Sequence, residues 1–308
     1  MKAKQALALI RQADWGPLKT FVTAATAETA YELIKLCGEK CPPDTPLASA
    51  IDNRRDVTGL ILCGGLRYGI SGRHRDMGQA DFTHESRIET RYYHLNIAAE
   101  LLGEALKTDP RNGLAAAFLM ATHINPFDKA QQAIAEAHLQ EAHHVPLSGY
   151  MNLMLAHAAS GAGPEAIFRL ARARLGADTP CHAALVARAC YEHHLSEGCA
   201  VFSPEVKTEL LTLSDRLLAA SGQEPAERRL AEGWLVLALS AAGLNRQAVR
   251  HLKALRGFED PTLWKHSLLP PVVKKGLIRL SALTARPEPA PATSGYRHSA
   301  PASGAEGA

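Results

Sequence analysis

The sequence predicts an all-α protein. Alanine and leucine dominate the 308 residues, β-branched residues are sparse, and apolar positions recur at steps of three and four along nearly every segment. This period places apolar side chains on one stripe of a helix, whereas a half-buried strand requires strict alternation. Hydrophobic residues make up 46% of the chain and charged residues 21%. That composition is typical of a globular protein that buries a core without disulfides or metals.

The same period predicts a series of helices separated by short breaks that contain Gly, Pro or Asp. In the helix over residues 90–107, Ala98, Leu102 and Ala105 share one face, and Asp109-Pro110 ends the helix. The predicted helices span residues 2–13, 27–37, 90–107, 112–123, 128–142, 147–160, 164–175, 181–195, 204–220, 226–242, 245–256 and 270–283.

Proline and serine mark where two of these helices begin. Pro164 and Pro204 stand at first-turn positions, where the missing N–H costs nothing and the fixed φ suits helix entry. Ser203 is the predicted N-cap of the second helix, and Val206 and Leu210 begin its apolar stripe.

Composition divides the chain into three regions. Residues 1–89 combine N-terminal helices with an irregular segment, 41–89, in which prolines and glycines predict loops around one or two helices. Residues 90–284 form the region of helical repeats. Residues 285–308 are rich in Pro, Ala, Ser and Gly, and they have too little apolar surface to offset the entropy of ordering, so a disordered tail is expected.

Two predicted hairpins, 82 residues apart, carry the same order of residues. A leucine precedes a glycine at the turn, and apolar positions follow at steps of five, four and three, which places small residues where two helices touch. The equivalent residues are Leu153, Gly161, Ala166, Leu170 and Ala173 in the first hairpin and Leu235, Gly243, Ala248, Leu252 and Leu255 in the second.

At these residues the chain resembles the tetratricopeptide-repeat-like helical solenoids over residues 90–260. More loosely, it resembles uncharacterised bacterial helical domains of that superfamily. The resemblance implies stacked antiparallel helical hairpins with a concave groove. The aromatic positions of the consensus are mostly absent, and the repeat length varies between about 33 and 45 residues, so an irregular helical bundle is the alternative.

This architecture favours a non-catalytic scaffold that binds a peptide or helix of another protein in the concave groove. Asn152, His157 and Arg188 are polar residues within otherwise apolar helices, and they are the predicted groove residues.

The alternative function is an enzyme or a small-anion binder that uses a glycine-broken loop. Arg73 and Arg75 could hold an anion there, His74 could carry a proton, and Asp76 could orient the imidazole. A pocket with a strongly shifted ionisation would distinguish this function from the scaffold.

No motif predicts a metal or cofactor. Cys190 lies three and four residues before His193 and His194, but no paired C-x-x-C or H-x-x-x-H completes a zinc site. The stretch CGGLRYGISG lacks the G-K-[ST] of a phosphate-binding loop, and no G-x-S-x-G occurs.

Charge and apolar runs limit the partners and the compartment. A net charge of +3, evenly distributed, gives no reason to expect nucleic acid. The longest apolar runs fall well below the roughly 20 residues that cross a bilayer, and residues 6–10 are too short for a signal-peptide core. Six cysteines without an export signal suit free thiols in the cytoplasm.

Overall fold

The structure is a computed structural model that describes residues 1–42, 45–53, 55–73, 85–124, 128–175, 180–197, 202–223, 225–255 and 271–284. Within these ranges the chain is helical and contains no β-strand. The predicted all-α class is therefore confirmed. None of the helices in these ranges combines the length and the apolar character needed to cross a bilayer.

The helices, numbered along the chain, are α1 Ala3–Arg11, α2 Gly16–Ala24, α3 Ala27–Lys40, α4 Val57–Arg73, α5 Glu85–Thr108, α6 Gly113–Thr122, α7 Lys129–Glu141, α8 Leu147–Ala159, α9 Pro164–Ala173, α10 Ala183–Glu197, α11 Pro204–Ala219, α12 Pro225–Ala241, α13 Asn245–Ala254 and α14 Pro271–Thr284. Short 3-10 turns at Leu47–Ala50 and Pro180–His182 precede α4 and α10.

Each predicted helix corresponds to a helix of the structure, and several caps explain where the helices begin. Ser203 accepts a hydrogen bond from Val206 N at the start of α11, as predicted. Asn112 caps α6 in the same way through Ala115 N. The predicted boundary at residue 89 falls inside α5, and the predicted tail, 285–308, lies outside the described residues.

The irregular segment 41–89 contains one long regular helix, α4, in agreement with the one or two helices predicted there, although its glycines were expected in loops. The glycines of α4 serve close packing rather than turns. A methyl group on Gly64 would lie 2.8 Å from Leu102 Cγ of α5, and one on Gly65 would lie 2.6 Å from Ile34 Cγ2 of α3. Because these glycines lack side chains, α4 fits closely between α3, α5 and α6 at the centre of the N-terminal helices.

The short helix α2 was not predicted. Pro17 in its first turn and β-branched Thr20, Val22 and Thr23 resemble a break between helices. Only Leu18 of this helix is buried, so its sequence shows little of the apolar period on which the prediction depends.

Two hydrophobic cores meet at α8. Leu153 and Ala156 pack into the core formed with α1 to α7. Leu147, Met151 and Met154, on another side of the helix, pack into the core formed with α9 to α14. Because both sides of α8 are buried, the two halves of the chain share this helix.

The turns that follow α8 and α12 are equivalent. Gly161 and Gly243 have φ angles of 85° and 80°, in the left-handed region that favours glycine. The residue after each glycine donates its N–H to the carbonyl five residues earlier, at 3.0 Å in the first turn and 2.8 Å in the second. The internal repeat therefore specifies the same helix ending twice.

The helices after these turns differ in which face they bury. Ala248 and Leu252 of α13 are buried, whereas Ala166 of α9 is exposed and Leu170 is only partly buried. Helix α9 instead buries Ile167, Phe168 and Ala171. The expectation that the small residues of both repeats lie at the helix contact is correct for α13 and wrong for α9.

Candidate functional site

The predicted groove residue Asn152 does not line an open surface. Its side chain is buried, and its Nδ2 donates a hydrogen bond of 2.8 Å to the hydroxyl of Tyr31 on α3. The Tyr31 ring stacks on Phe118 of α6 with 4.3 Å between ring centroids. The N-terminal helix α3 thus occupies the side of α8 on which Asn152 lies, and the groove role of this residue stays a prediction.

Arg188 is also buried rather than available to a partner. Its Nε donates to Glu192 Oε1 at 2.7 Å, one turn along α10, and its side chain is 7% exposed. The guanidinium carbon lies 4.9 Å from the centre of the Trp234 ring of α12. The charge is therefore satisfied between α10 and α12 by a carboxylate and an aromatic face.

His157 is the most accessible of the three predicted groove residues. Its Nε2 lies 2.9 Å from Glu136 Oε2, and the side chain is 34% exposed. This pair joins α8 to α7 at the surface. The three predicted residues make separate contacts with different neighbouring helices.

The predicted anion-binding loop is described only at its first residue. Arg73 ends α4, and its Nε and Nη2 are buried without a hydrogen-bond partner in the described part of the chain. His74, Arg75 and Asp76 lie outside the described residues. The anion site remains a prediction.

The cysteines that the structure describes are free and buried. Burial raises the pKa of Cys190 to about 12, with a smaller contribution from Glu209. Burial likewise raises the pKa of Cys37 to about 12. Cys199 lies outside the described residues. Within the described ranges no group of His, Cys, Asp and Glu is arranged to hold a metal ion.

A buried polar network that the sequence did not predict joins α11, α12 and α13. Ser214 Oγ lies 2.6 Å from His251 Nε2. The other ring nitrogen, Nδ1, is hydrogen-bonded to Glu232 Oε2. Arg228 Nε donates to the second oxygen of Glu232 at 3.3 Å. A carboxylate only accepts, so Nδ1 donates to Glu232, and in a neutral imidazole Nε2 accepts from the serine hydroxyl.

This order of hydroxyl, imidazole and carboxylate is the one found in serine hydrolases. Two features exclude the same role in this conformation. Ser214 and His251 have no exposed surface, so a substrate has no access to the hydroxyl. Ser214 also lies in the middle of α11, where neighbouring N–H groups form helical hydrogen bonds and cannot converge on an oxyanion. The network therefore cross-links three helices.

A cavity of about 520 Å³ lies along one side of α11. It is an open depression whose lining surface is mainly apolar, and Ser214 is not among its lining residues. Those residues are Pro204, Glu205, Thr208, Glu209, Thr212 and Leu213. The cavity does not connect the network to solvent.

The most distinctive exposed surface lies on the first half of α5. Ile88 and Tyr92 are one turn apart on the same side of the helix, and Tyr93 follows about 100° further round the helix. Tyr93 is the most exposed of the three, at 58%. Tyrosine combines a large apolar surface with few rotatable bonds, and it is enriched at protein interfaces. We call these three residues the α5 face.

The fold and these contacts define an all-helical protein with two hydrophobic cores that share α8 and are linked by buried polar networks. Comparison with known proteins adds no family, because no protein-family model, no curated protein and no solved structure matches the chain.

Proposed function

We propose that the protein is a non-catalytic scaffold that binds a segment of another protein through the α5 face. The observation that carries this proposal is the exposure of Ile88, Tyr92 and Tyr93 together. An apolar and aromatic group at the surface is typical of a protein interaction site. The buried positions of Asn152 and Arg188 favour this surface over a concave groove.

The partner that fits is a peptide or helix with apolar side chains, which would pack on the exposed aromatic rings. The first half of α5, residues 85–94, carries Glu85 and Glu89 as well as Arg87 and Arg91, so its charge does not select the sign of the partner. In this proposal the helices between residues 90 and 260, which include most of α5, stack as a tetratricopeptide-like solenoid. Buried free thiols are suited to a reducing cytoplasm.

The test places a photo-crosslinking amino acid at Tyr93 in the native host, with the same amino acid at Leu280 as the control. Leu280 of α14 is similarly exposed, at 62%. A discrete adduct from position 93 that is missing from position 280 is the expected result. Adducts that are absent, or equal at both positions, would contradict the proposal.

The captured partner is then purified and its affinity is measured directly. Loss of an aromatic anchor at the centre of an interface costs about 2 kcal/mol or more, so Tyr92→Ser is expected to weaken binding at least about 30-fold. Leu280→Ser is expected to leave the affinity unchanged. An affinity unaffected by Tyr92→Ser would remove the α5 face as the binding site.

A second candidate function is a small-anion binder in which Arg73 acts with His74, Arg75 and Asp76. It is favoured by the two buried nitrogens of Arg73 that lack a partner in the described part of the chain, because such donors match the oxygens of a phosphate. Calorimetry with inorganic phosphate tests it. Arg73→Gln should abolish binding, whereas Arg55→Gln, a change elsewhere on the surface, should not.

A further inference from the structure

The first turn of α3 places a carboxyl group in the protein interior. Glu28 is 1% exposed, and Ser148 is hydrogen-bonded to both of its oxygens. The Ser148 N–H lies 2.9 Å from Oε2, and the hydroxyl Oγ lies 2.5 Å from Oε1. Pro146, the N-cap of α8, provides no side-chain cap. Glu28 therefore supplies, from 120 residues away in sequence, an acceptor that the first turn of α8 needs.

Burial dominates the ionisation of Glu28. It raises the pKa of this carboxyl group to about 8, although the two hydrogen bonds from Ser148 act in the opposite direction. Glu32 on α3 and Glu227 on α12 raise the pKa further through their charge. Arg229 of α12, the cation on this side, is bound to Glu32, with 3.3 Å between Nη2 and Oε2. The described residues give Glu28 itself no ion pair.

Three contacts along one face of α3 join the N-terminal helices to the rest of the chain. Glu28 contacts Ser148 of α8, Tyr31 contacts Asn152 of α8, and Glu32 contacts Arg229 of α12. Positions 28, 31 and 32 lie on the same side of a helix. A change in the charge of Glu28 therefore acts at the contact of α3 with both α8 and α12.

We propose that Glu28 is a proton-dependent clamp: its neutral carboxyl group holds α3 against α8 and α12, and loss of the proton loosens this contact. In the neutral form, the carboxylic O–H donates to Ser148 Oγ while the other oxygen accepts the Ser148 N–H. Release of the proton to solvent leaves a buried charge with two other carboxylates nearby, which is unfavourable.

The sign of the pH dependence distinguishes the clamp from an ordinary helix cap. The folded protein retains the Glu28 proton between the unfolded value of 4.5 and the folded value of about 8. In this window the unfolded state binds fewer protons, so stability falls as pH rises. If the carboxylate were instead the favoured cap of α8, stability would rise with pH over the range where glutamate normally ionises.

The experiment measures urea unfolding of the full chain against pH for the natural protein and for Glu28→Gln. Glutamine is neutral at every pH, and it can accept from the Ser148 N–H and donate to its hydroxyl. We expect the unfolding constant of the natural protein, relative to Glu28→Gln, to rise up to about tenfold per pH unit between about pH 5 and pH 8. Equal slopes for the two proteins would overturn the proposal.

Two further measurements identify the contact that loosens. Glu32→Gln, which removes the ion pair with Arg229, should keep the slope of the natural protein because Glu28 still titrates. Hydrogen exchange, corrected for its intrinsic pH dependence, should show α3 and the first turn of α8 losing protection above about pH 8 in the natural protein only. Loss of protection that Glu28→Gln shares, or an unchanged pattern in both, would overturn the clamp.

Discussion

Gly38 of α3 and Gly69 of α4 lie opposite each other where the two helices cross, with no side chain between them. A methyl group built on either glycine would lie 2.8 Å from the α-carbon of the other, and one on Gly69 would also lie 2.5 Å from the Lys35 carbonyl oxygen. Both obstacles are backbone atoms, which cannot rotate away as a side chain can. The distance between α3 and α4 is therefore set by these two residues.

Gly69→Ala is expected to destabilise the protein. Separation of the two helices would disturb the N-terminal core, and overpacking of this kind costs about 1–3 kcal/mol. Gly103→Ala is the matched control, because a methyl group there meets no atom within 4 Å and alanine is favoured over glycine in a helix by about 1 kcal/mol. Chemical denaturation should show opposite signs for the two variants. A stabilising Gly69→Ala would show that the crossing is looser than the structure indicates.

The network of Ser214, His251 and Glu232 should contribute to stability. His251→Leu leaves the hydroxyl and one carboxylate oxygen without their buried partner, at a cost of about 3 kcal/mol or more. Ser214→Ala leaves only the ring nitrogen unsatisfied and should cost about 1–3 kcal/mol. Thr212→Ala, which removes an exposed hydroxyl from the same helix, should change the free energy of unfolding by less than about 0.5 kcal/mol. Losses no larger than that of Thr212→Ala would contradict the role of the network.

The same serine should be chemically unreactive in the folded protein. Ser214 has no exposed surface, so a fluorophosphonate probe has no path to its hydroxyl despite the neighbouring imidazole. Mass spectrometry of the native protein after exposure to the probe should find no adduct at residue 214. Stoichiometric labelling there, absent in His251→Leu, would show that the hydroxyl is both accessible and activated.

Asp56 should stabilise the start of α4 in a pH-dependent manner. Its Oδ1 accepts from Gly59 N at 2.9 Å, and its Oδ2 accepts from Lys19 Nζ at 2.6 Å and from Asp52 N at 2.9 Å. Burial alone would raise the pKa of Asp56, but these three hydrogen bonds outweigh it and lower the pKa below its usual value of 3.8. The stabilisation is therefore present above that value and is lost as pH falls through the folded pKa.

Asp56→Ala should lower the free energy of unfolding by about 1–2 kcal/mol at neutral pH, as for other helix caps. The difference from the natural protein should shrink as the pH falls below 3.8. Asp52→Ala is the control, because the Asp52 side chain is 73% exposed and shares the same lysine. Thermal unfolding at a series of pH values measures both. A difference that stays constant down to acid pH would mean that the Asp56 charge does not matter.

Local sequence predicted the positions of most helices but did not locate α4 within the segment 41–89. The rule that links glycine to turns applies when glycine supplies a positive φ, as at Gly161 and Gly243. In α4 the glycines have a different use, because Gly64 and Gly69 face the backbone or side chains of neighbouring helices. Whether a glycine forms a turn or allows close packing depends on which residues of other helices lie opposite it. The spacing of residues within the segment does not give this information.

The candidate sites were harder to predict than the helices. Asn152 and Arg188 stood out as polar residues in apolar helices, and that observation correctly marked them as unusual. Their partners, Tyr31 and Trp234, lie far away in sequence. The local sequence therefore does not show whether the side chains of Asn152 and Arg188 are buried or exposed in a groove. The same signal is present at Ser214, a polar residue among the buried leucines of α11, and it marks the buried network there.

The helical character of the chain, most helix boundaries and the recurring glycine turns can be predicted from local sequence. These features follow from the helical period, from caps and from backbone preferences, all of which act within a few residues. The membership of α8 in two cores and the contact of Glu28 with Ser148 across 120 residues of sequence are visible in the folded chain alone. Such pairings depend on which helix faces meet in space, and many helical arrangements would bury the same apolar stripes.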